Sequence, residues 1–202
     1  MAATKTRTEH DLIGNFEVPA DAYYGVQTAR ALENFQISGV PISLYPNFIK
    51  ALAMVKLAAA RANADVGTLP REILKGIEGA CQEIIDGKLH DQFSLDVFQG
   101  GAGTSTNMAA NEVIANRALE LMGHKKGEYK YCDPHDHLNQ SQSTNDFYPT
   151  AMHVGIALGN VQVIAAFKEL VAAFAANAAT SSLKAAMSST LPSAIPTCMA
   201  VG

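Results

Sequence analysis

Apolar residues recur at helical spacing along most of this chain, and the stretches that break the period are unusually polar. Residues 1–45 show no sustained period and read as irregular, with a turn-rich, aromatic-anchored segment from Val18 to Gly25. From Pro46 the pattern becomes helical: Phe48, Ile49, Leu52, Val55 and Ala59 predict a helix running up to Gly67. Pro70 suits a first helical position, and Ile73, Ile77, Cys81, Ile84 and Ile85 form the stripe of a second helix stopped by Gly87. A third follows the glycines at 100, 101 and 103, with Ser105 or Thr106 as N-cap and Gly123 as stop. Residues 124–148 lose the period, and so long an irregular stretch in a compact protein is usually functional or disordered. Pro149 or Thr150 then opens the longest element, free of proline from Ala151 to Ala186 and apolar on nearly every face.

A helix apolar all round must be covered on all sides. One short chain cannot easily surround it, so the pattern predicts a multi-subunit helical core. A membrane span is less economical: the run Val154–Phe167 contains Asn160 and Gln162, meets Lys168 and Glu169, and falls short of the ~20 apolar residues a span requires. No alternating, β-rich stretch stands out, so the chain reads as mainly α.

Composition adjusts this picture in three places. At 48% hydrophobic and 17% charged, the chain is apolar for a soluble monomer, which fits burial between subunits. A net charge of -4 with no long basic run gives no electrostatic reason to expect nucleic acid. Cys81, Cys132 and Cys198 are far apart and form no CxxC, so reduced thiols in a cytosol fit better than a disulfide framework or a zinc site. Met1–Asp11 has no apolar core of the secretory kind, and Glu9 and Asp11 argue against a transit peptide.

The candidate chemistry lies in two loops. Residues 139–146 read Asn-Gln-Ser-Gln-Ser-Thr-Asn-Asp, all able to hydrogen-bond, with no Lys, Arg, Cys or His among them. Upstream, Gly100-Gly-Ala-Gly-Thr-Ser-Thr-Asn107 repeats the chemistry behind glycines. Glycines let the backbone approach a ligand, and the helix that follows aims free N–H groups at the same place. The plain alternative is a glycine turn with an N-cap, and likewise capping at 141–146; capping, however, needs one or two such residues rather than eight. Together the loops suggest a cradle for a small carboxylate. His135 and His137, with Asp133 and Asp136, admit a metal, hydrogen-bonding or substrate-related reading, but no third ligand stands at a convincing spacing. His90, His124 and His153 are isolated, and Cys132 has no His at triad-like spacing.

These residues carry a resemblance. Gly100-Gly-Ala-Gly-Thr-Ser-Thr-Asn-Met108 with Asn111-Glu-Val-Ile-Ala-Asn-Arg-Ala118 resembles the first signature region of the aspartase/fumarase superfamily. Pro134-His-Asp-His-Leu-Asn139, Ser141-Gln-Ser-Thr-Asn-Asp146 and Pro149-Thr-Ala151 resemble the second. Asp11-Leu-Ile-Gly14 and Val18–Thr28 look like the family's opening, and the similarity runs over residues 9–187. Within the superfamily Tyr23-Tyr24-Gly25, Gly100–Asn107, Asp91-Gln-Phe93 and Ser143-Thr-Asn145 lean toward aspartate ammonia-lyase, whereas Ala151-Met-His-Val154 looks like a class II fumarase.

The resemblance implies a homotetramer of L-aspartate or fumarate chemistry with no cofactor; no metal, no membrane and no nucleic acid are expected from the ligand spacing, hydropathy and charge above. It implies an N-terminal mixed, helical domain over 1–145, the first long helix of a central bundle over 146–187, and a divergent end over 188–202. Aspartate would lose a proton beside its β-carboxylate, and the aci-carboxylate so formed would be held by uncharged donors while ammonia leaves. Carried over by motif, Thr104, Ser143, Thr144, Asn145 and Thr190 would bind substrate, with Ser105, Thr106, Asn107, Ser141 and His137 supporting them. The family's general base is the serine of a Gly-Ser-Ser-x-Met-Pro-x-Lys-x-Asn loop. Neither Ser181-Ser182 nor Ser188-Ser189 has that setting, and Ser188-Ser-Thr-Leu-Pro-Ser-Ala194 replaces the family's Gly-Arg-Thr pattern. Ala109 and His135 also stand where the family has Asn. The expectation is therefore an incomplete form with a cradle, no catalytic residue of its own, and no activity in isolation; the alternatives are a class II fumarase-like fragment, or a non-catalytic remnant that binds dicarboxylate or associates with intact subunits.

Overall fold

The computed structural model describes residues 5–189, with side-chain surroundings through residue 182. It is mainly α and falls into two units, one through Leu158 and one from Gly159. Residues 1–45, expected to be irregular, contain the first departure. Strands β1 (Thr6–Asp11) and β2 (Gly14–Pro19) form an antiparallel hairpin, and α1 (Val26–Asn34) follows. The hairpin escaped the hydrophobic pattern because its strands are polar; side-chain bonds anchor it instead. Arg7 donates to the carbonyls of Pro19, Ala22 and Tyr24, and Arg30 of α1 pairs with Asp11 at 2.8 Å.

Helices α2 (Pro46–Asp65) and α3 (Arg71–Ile85) start and stop where the sequence predicts, with Pro46 at the start of one and Pro70 capping the other. On α2 the buried face is turned slightly from the predicted stripe. Ile49, Leu52, Ala53, Lys56, Leu57, Ala60, Asn63 and Ala64 are buried, whereas Phe48, Val55 and Ala59 lie at its margin.

Helix α4 (Thr104–Leu121) is the spine of this unit. Residues 106–116 are buried without a break, and α1, α2 and α3 all pack on it. Its polar residues tie surrounding segments to the core. Asn116 donates to the Tyr23 carbonyl at 2.8 Å and accepts from the Gly127 amide at 2.8 Å. Glu112 accepts the amides of Gly25, Gln27 and Thr28 and the Thr28 hydroxyl, all within 3.1 Å, at the start of α1. Glu9 adds a second carboxylate there, accepting the Val26 amide at 2.9 Å. Two acids at a helix N-terminus suit its exposed N–H groups and positive dipole end. Gly25 leaves room for them, since a Cβ there would lie 2.6 Å from Glu9 and 2.9 Å from Glu112.

Helix α5 spans Thr144–Ser189, starting earlier than the expected Pro149 or Thr150. Pro149 lies inside it, in the second turn, where its missing N–H removes one bond at an end already poor in partners. In the first unit Phe147 and Ala151 of this helix join the core. In the second unit the helix is exposed through residue 182, and Val161, Ile164, Phe167, Leu170, Val171 and Phe174 present an apolar face.

Candidate functional site

The two polar loops meet at the starts of α4 and α5. Gly103 directly precedes α4 with φ of 84°, a left-handed conformation natural to glycine. A Cβ at Gly103 would collide with the Tyr148 ring, so glycine also lets the first turns of α4 and α5 lie against each other. The left-handed residue starts the helix at Thr104. Ser105 and Thr106, expected as N-caps, are consequently inside the helix, which has no side-chain cap. Its first amides are left to outside acceptors. Thr104 is exposed, Ser105 half-buried, and Thr106 and Asn107 buried.

Asn107 makes the direct link between the loops. Its Nδ2 donates to Asn139 Oδ1 at 2.9 Å and to Thr144 Oγ1 at 3.1 Å. Asn111, one turn further along α4, reaches the same Asn139 oxygen at 3.3 Å. Oδ1 of Asn107, Oδ1 of Asn111 and Oγ1 of Thr106 are buried and receive no donor among the described residues. A buried acceptor left unpaired costs roughly 1–3 kcal/mol, so these atoms mark where the junction of the two loops is least satisfied by the described residues.

The second loop divides its work. Ser143 caps α5: its Oγ accepts the Asn145 amide at 3.2 Å, and its carbonyl accepts the Phe147 amide at 2.9 Å. Capping thus accounts for Ser143 but not for its neighbours. Thr144 is half-buried and bonded to Asn107, and Asn145 is exposed. Ser141 takes φ of 58°, a backbone state costing on the order of 1–3 kcal/mol for a residue with a side chain.

Lys56 is the residue the sequence reading missed. It is fully buried on α2, and its Nζ donates to Asn139 Oδ1 at 3.2 Å and Gln142 Oε1 at 3.0 Å. The nitrogen also lies 4.0 Å from the centre of the Phe147 ring. Burial pushes the ammonium down to about 7, and among the described residues no carboxylate pairs with it. A signal was available: position 56 falls four residues after Leu52 and four before Ala60, a core position, yet it is a lysine.

The remaining candidates fall elsewhere. His137 Nδ1 accepts the Asp133 amide at 2.8 Å, and Asp133 accepts the amides of His135 and Asp136, so this segment closes on itself as a turn. Among the described residues no three His, Cys, Asp or Glu side chains are placed to share a metal ion. Burial pushes the Cys132 thiol up to about 12, consistent with an inert sulfur. Thr190 lies outside the described residues.

The fold and site together define a mainly helical protein that brings two uncharged, donor-rich loops to the starts of neighbouring helices. Comparison with known proteins narrows the class. A family model described as "Lyase" matches residues 14–190. Over 171 residues the chain is 58% identical to aspartate ammonia-lyase of Pseudomonas aeruginosa, covering 85% of this chain and 36% of that protein. It is 53% identical to aspartate ammonia-lyase of Escherichia coli K12 over 165 residues, 81% of this chain and 34% of that one. A fumarate lyase:delta crystallin structure from Brucella melitensis superposes with a TM-score of 0.83 at 53% identity, over 86% of this chain and 40% of that one. Class II fumarase from Schistosoma mansoni gives 0.71 at 38% identity, over 76% and 32%. The chain belongs to the lyase family of the aspartase/fumarase superfamily and corresponds to the N-terminal part of its aspartate ammonia-lyases. It spans little more than a third of the length of these relatives, at 36% and 34%.

Proposed function

We propose that this chain carries the dicarboxylate cradle of an aspartate ammonia-lyase, the reaction that converts L-aspartate to fumarate and ammonia. The observation that carries the reading is the Asn107 bridge, which joins the glycine loop to Asn139 and Thr144 and so makes one site of two signature segments. Around it Thr104, Ser143, Thr144 and Asn145 bind substrate, with Ser105, Thr106, Asn107 and Ser141 shaping the loops. Removing the proton beside the β-carboxylate sends negative charge onto its oxygens. Uncharged donors fixed beforehand stabilise that charge more than they stabilise the substrate, which lowers the barrier to ammonia loss.

The base is the missing part. The Gly-Ser-Ser-x-Met-Pro-x-Lys-x-Asn loop is not in this sequence, so the 202-residue chain has no ammonia-lyase activity by itself. Purified chain is to be incubated with L-aspartate and, separately, L-malate while ultraviolet absorbance is followed. No fumarate should appear from either; fumarate from aspartate overturns the inactive form, and fumarate from malate alone overturns the aspartase assignment. Binding of fumarate, read by ligand-observed NMR, is expected, and its absence counts against the cradle.

The apolar face of α5 supports assembly through a helical core of like chains, a homotetramer, with residues 1–145 as the first domain, 146–187 as the first bundle helix and 188–202 as a divergent end. The helix is long and apolar enough to cross a membrane by length and composition, with mean hydropathy 1.5 in its most apolar window. A shared core is preferred because the lyase family model matches through this helix, as far as residue 190. Reduced, buried Cys81 and Cys132 fit a cytoplasmic setting.

A further inference from the structure

A lysine on the core face of a helix needs a reason. Ile49, Leu52, Ala53 and Ala60 occupy the other turns of that face, and a fully buried, unpaired lysine is among the rarest of residues. Taking its charge out of water costs several kcal/mol. No ion pair offsets this among the described residues, and the donors of Nζ go to the side-chain carbonyls of Asn139 and Gln142. Two turns further along α2, Asn63 does the same: its Nδ2 donates to the Gln140 carbonyl at 2.8 Å, while Gln140 Nε2 returns a bond to the Thr68 carbonyl at 3.1 Å. Positions 56 and 63 therefore form a ledge of donors beneath residues 139–142. Asn139 Oδ1 is the node of the arrangement, accepting from Lys56 on α2 and from Asn107 and Asn111 on α4.

We propose that Lys56 is the positioning residue of the cradle: it fastens Asn139 and Gln142 to the helical core and so fixes the shape in which the loop presents Ser143, Thr144 and Asn145. The inference deepens the reading of this loop as a dicarboxylate cradle and relies on that reading for what the loop holds, not for the tether. The groups facing the amine are few. Asn139, Gln142 and Phe147 are neutral, and on α3 the Cys81 thiol is held protonated by burial.

The test is hydrogen–deuterium exchange by mass spectrometry on the 202-residue chain, comparing wild type with Lys56→Met. Exchange of peptides covering 139–148 should rise at least tenfold, with α3 peptides over 71–85 unchanged. Wild-type protection of the loop, normalised to intrinsic exchange, should rise severalfold from pH 6 to pH 8, because the buried amine gives up its proton near 7 while the amine of the opened loop keeps it, and Lys56→Met should show no such dependence. Identical loop exchange in the two proteins overturns the proposal, as does a uniform rise across the chain, which marks a merely structural residue. Should Lys56→Met fail to fold, Gln142→Leu decides, with local loosening of 139–148 supporting the tether and no local change refuting it. Fumarate is titrated alongside: a wild-type chain that does not bind it removes the cradle reading, while the exchange data still decide the tether.

Discussion

Glu112→Gln tests how α4 holds the start of α1. In the wild type, burial pushes the Glu112 carboxyl from an ordinary 4.5 up to about 7, although Thr28, Gln27 and Gly25 donate to it and pull the other way. The unfolded chain releases this proton near 4.5, whereas the folded chain keeps it until about 7. Stability is then complete below the lower value and is lost as pH rises through the upper one. At ~1.4 kcal/mol per pKa unit the loss amounts to about 3 kcal/mol by pH 8. Glutamine keeps the shape and does not titrate. The stability difference between the two proteins should therefore move by about 2.5 kcal/mol in favour of Gln between pH 5 and pH 8, the rest of the loss falling below pH 5. Other titrating groups cancel in the difference. Urea denaturation followed by far-ultraviolet circular dichroism at four pH values measures it. Parallel profiles would show that the carboxylate is not desolvated. A slope of the opposite sign would show that the four donors outweigh burial.

Other outcomes follow from single contacts. Gly103→Ala forces a side chain into a left-handed backbone and against the Tyr148 ring, and should destabilise by roughly 2 kcal/mol or more in the same assay, with Tyr148→Ala partly restoring stability. Cys81 and Cys132 are buried, so iodoacetamide should label both in urea and neither in buffer, as read by peptide mapping. Phe167→Asp with Val171→Asp places charge on the exposed face of α5 and should shift the chain to a smaller species in sedimentation; an unchanged mass would remove that face from assembly.

The helices were legible because their signals are local. Proline at 46 and 70 and glycine at 123 mark ends that depend only on neighbouring residues. The hairpin was illegible because its stability is not local. Thr6–Asp11 carries no apolar alternation, and its register depends on Arg7 and Arg30 finding carbonyls and a carboxylate up to nineteen residues away. The start of α5 was misplaced for a similar reason: Pro149 looks like a first helical residue, yet Ser143 caps the helix earlier, and Phe147 must be helical to reach the core. In the candidate site the loops themselves could be read from composition. Lys56 stands out in the sequence as a lysine at a core position, but its partner does not, because that appears only when the loop 83 residues away folds over it.

That separation bears on what the chain can do alone. Among the described residues the contacts that shape the cradle lie within residues 56–148, among α2, α4, the two loops and the start of α5. The proposed base is not among them. Under the proposed function these residues hold the ligand without removing its proton, so fumarate binding without turnover is the expected behaviour. Asn107 is the sharpest expression of this: a buried amide whose nitrogen is committed to the second loop and whose oxygen has no donor among the described residues. An unpaired acceptor at that depth is expensive to keep. It is better explained by the demands of joining the two loops than by those of the core around it.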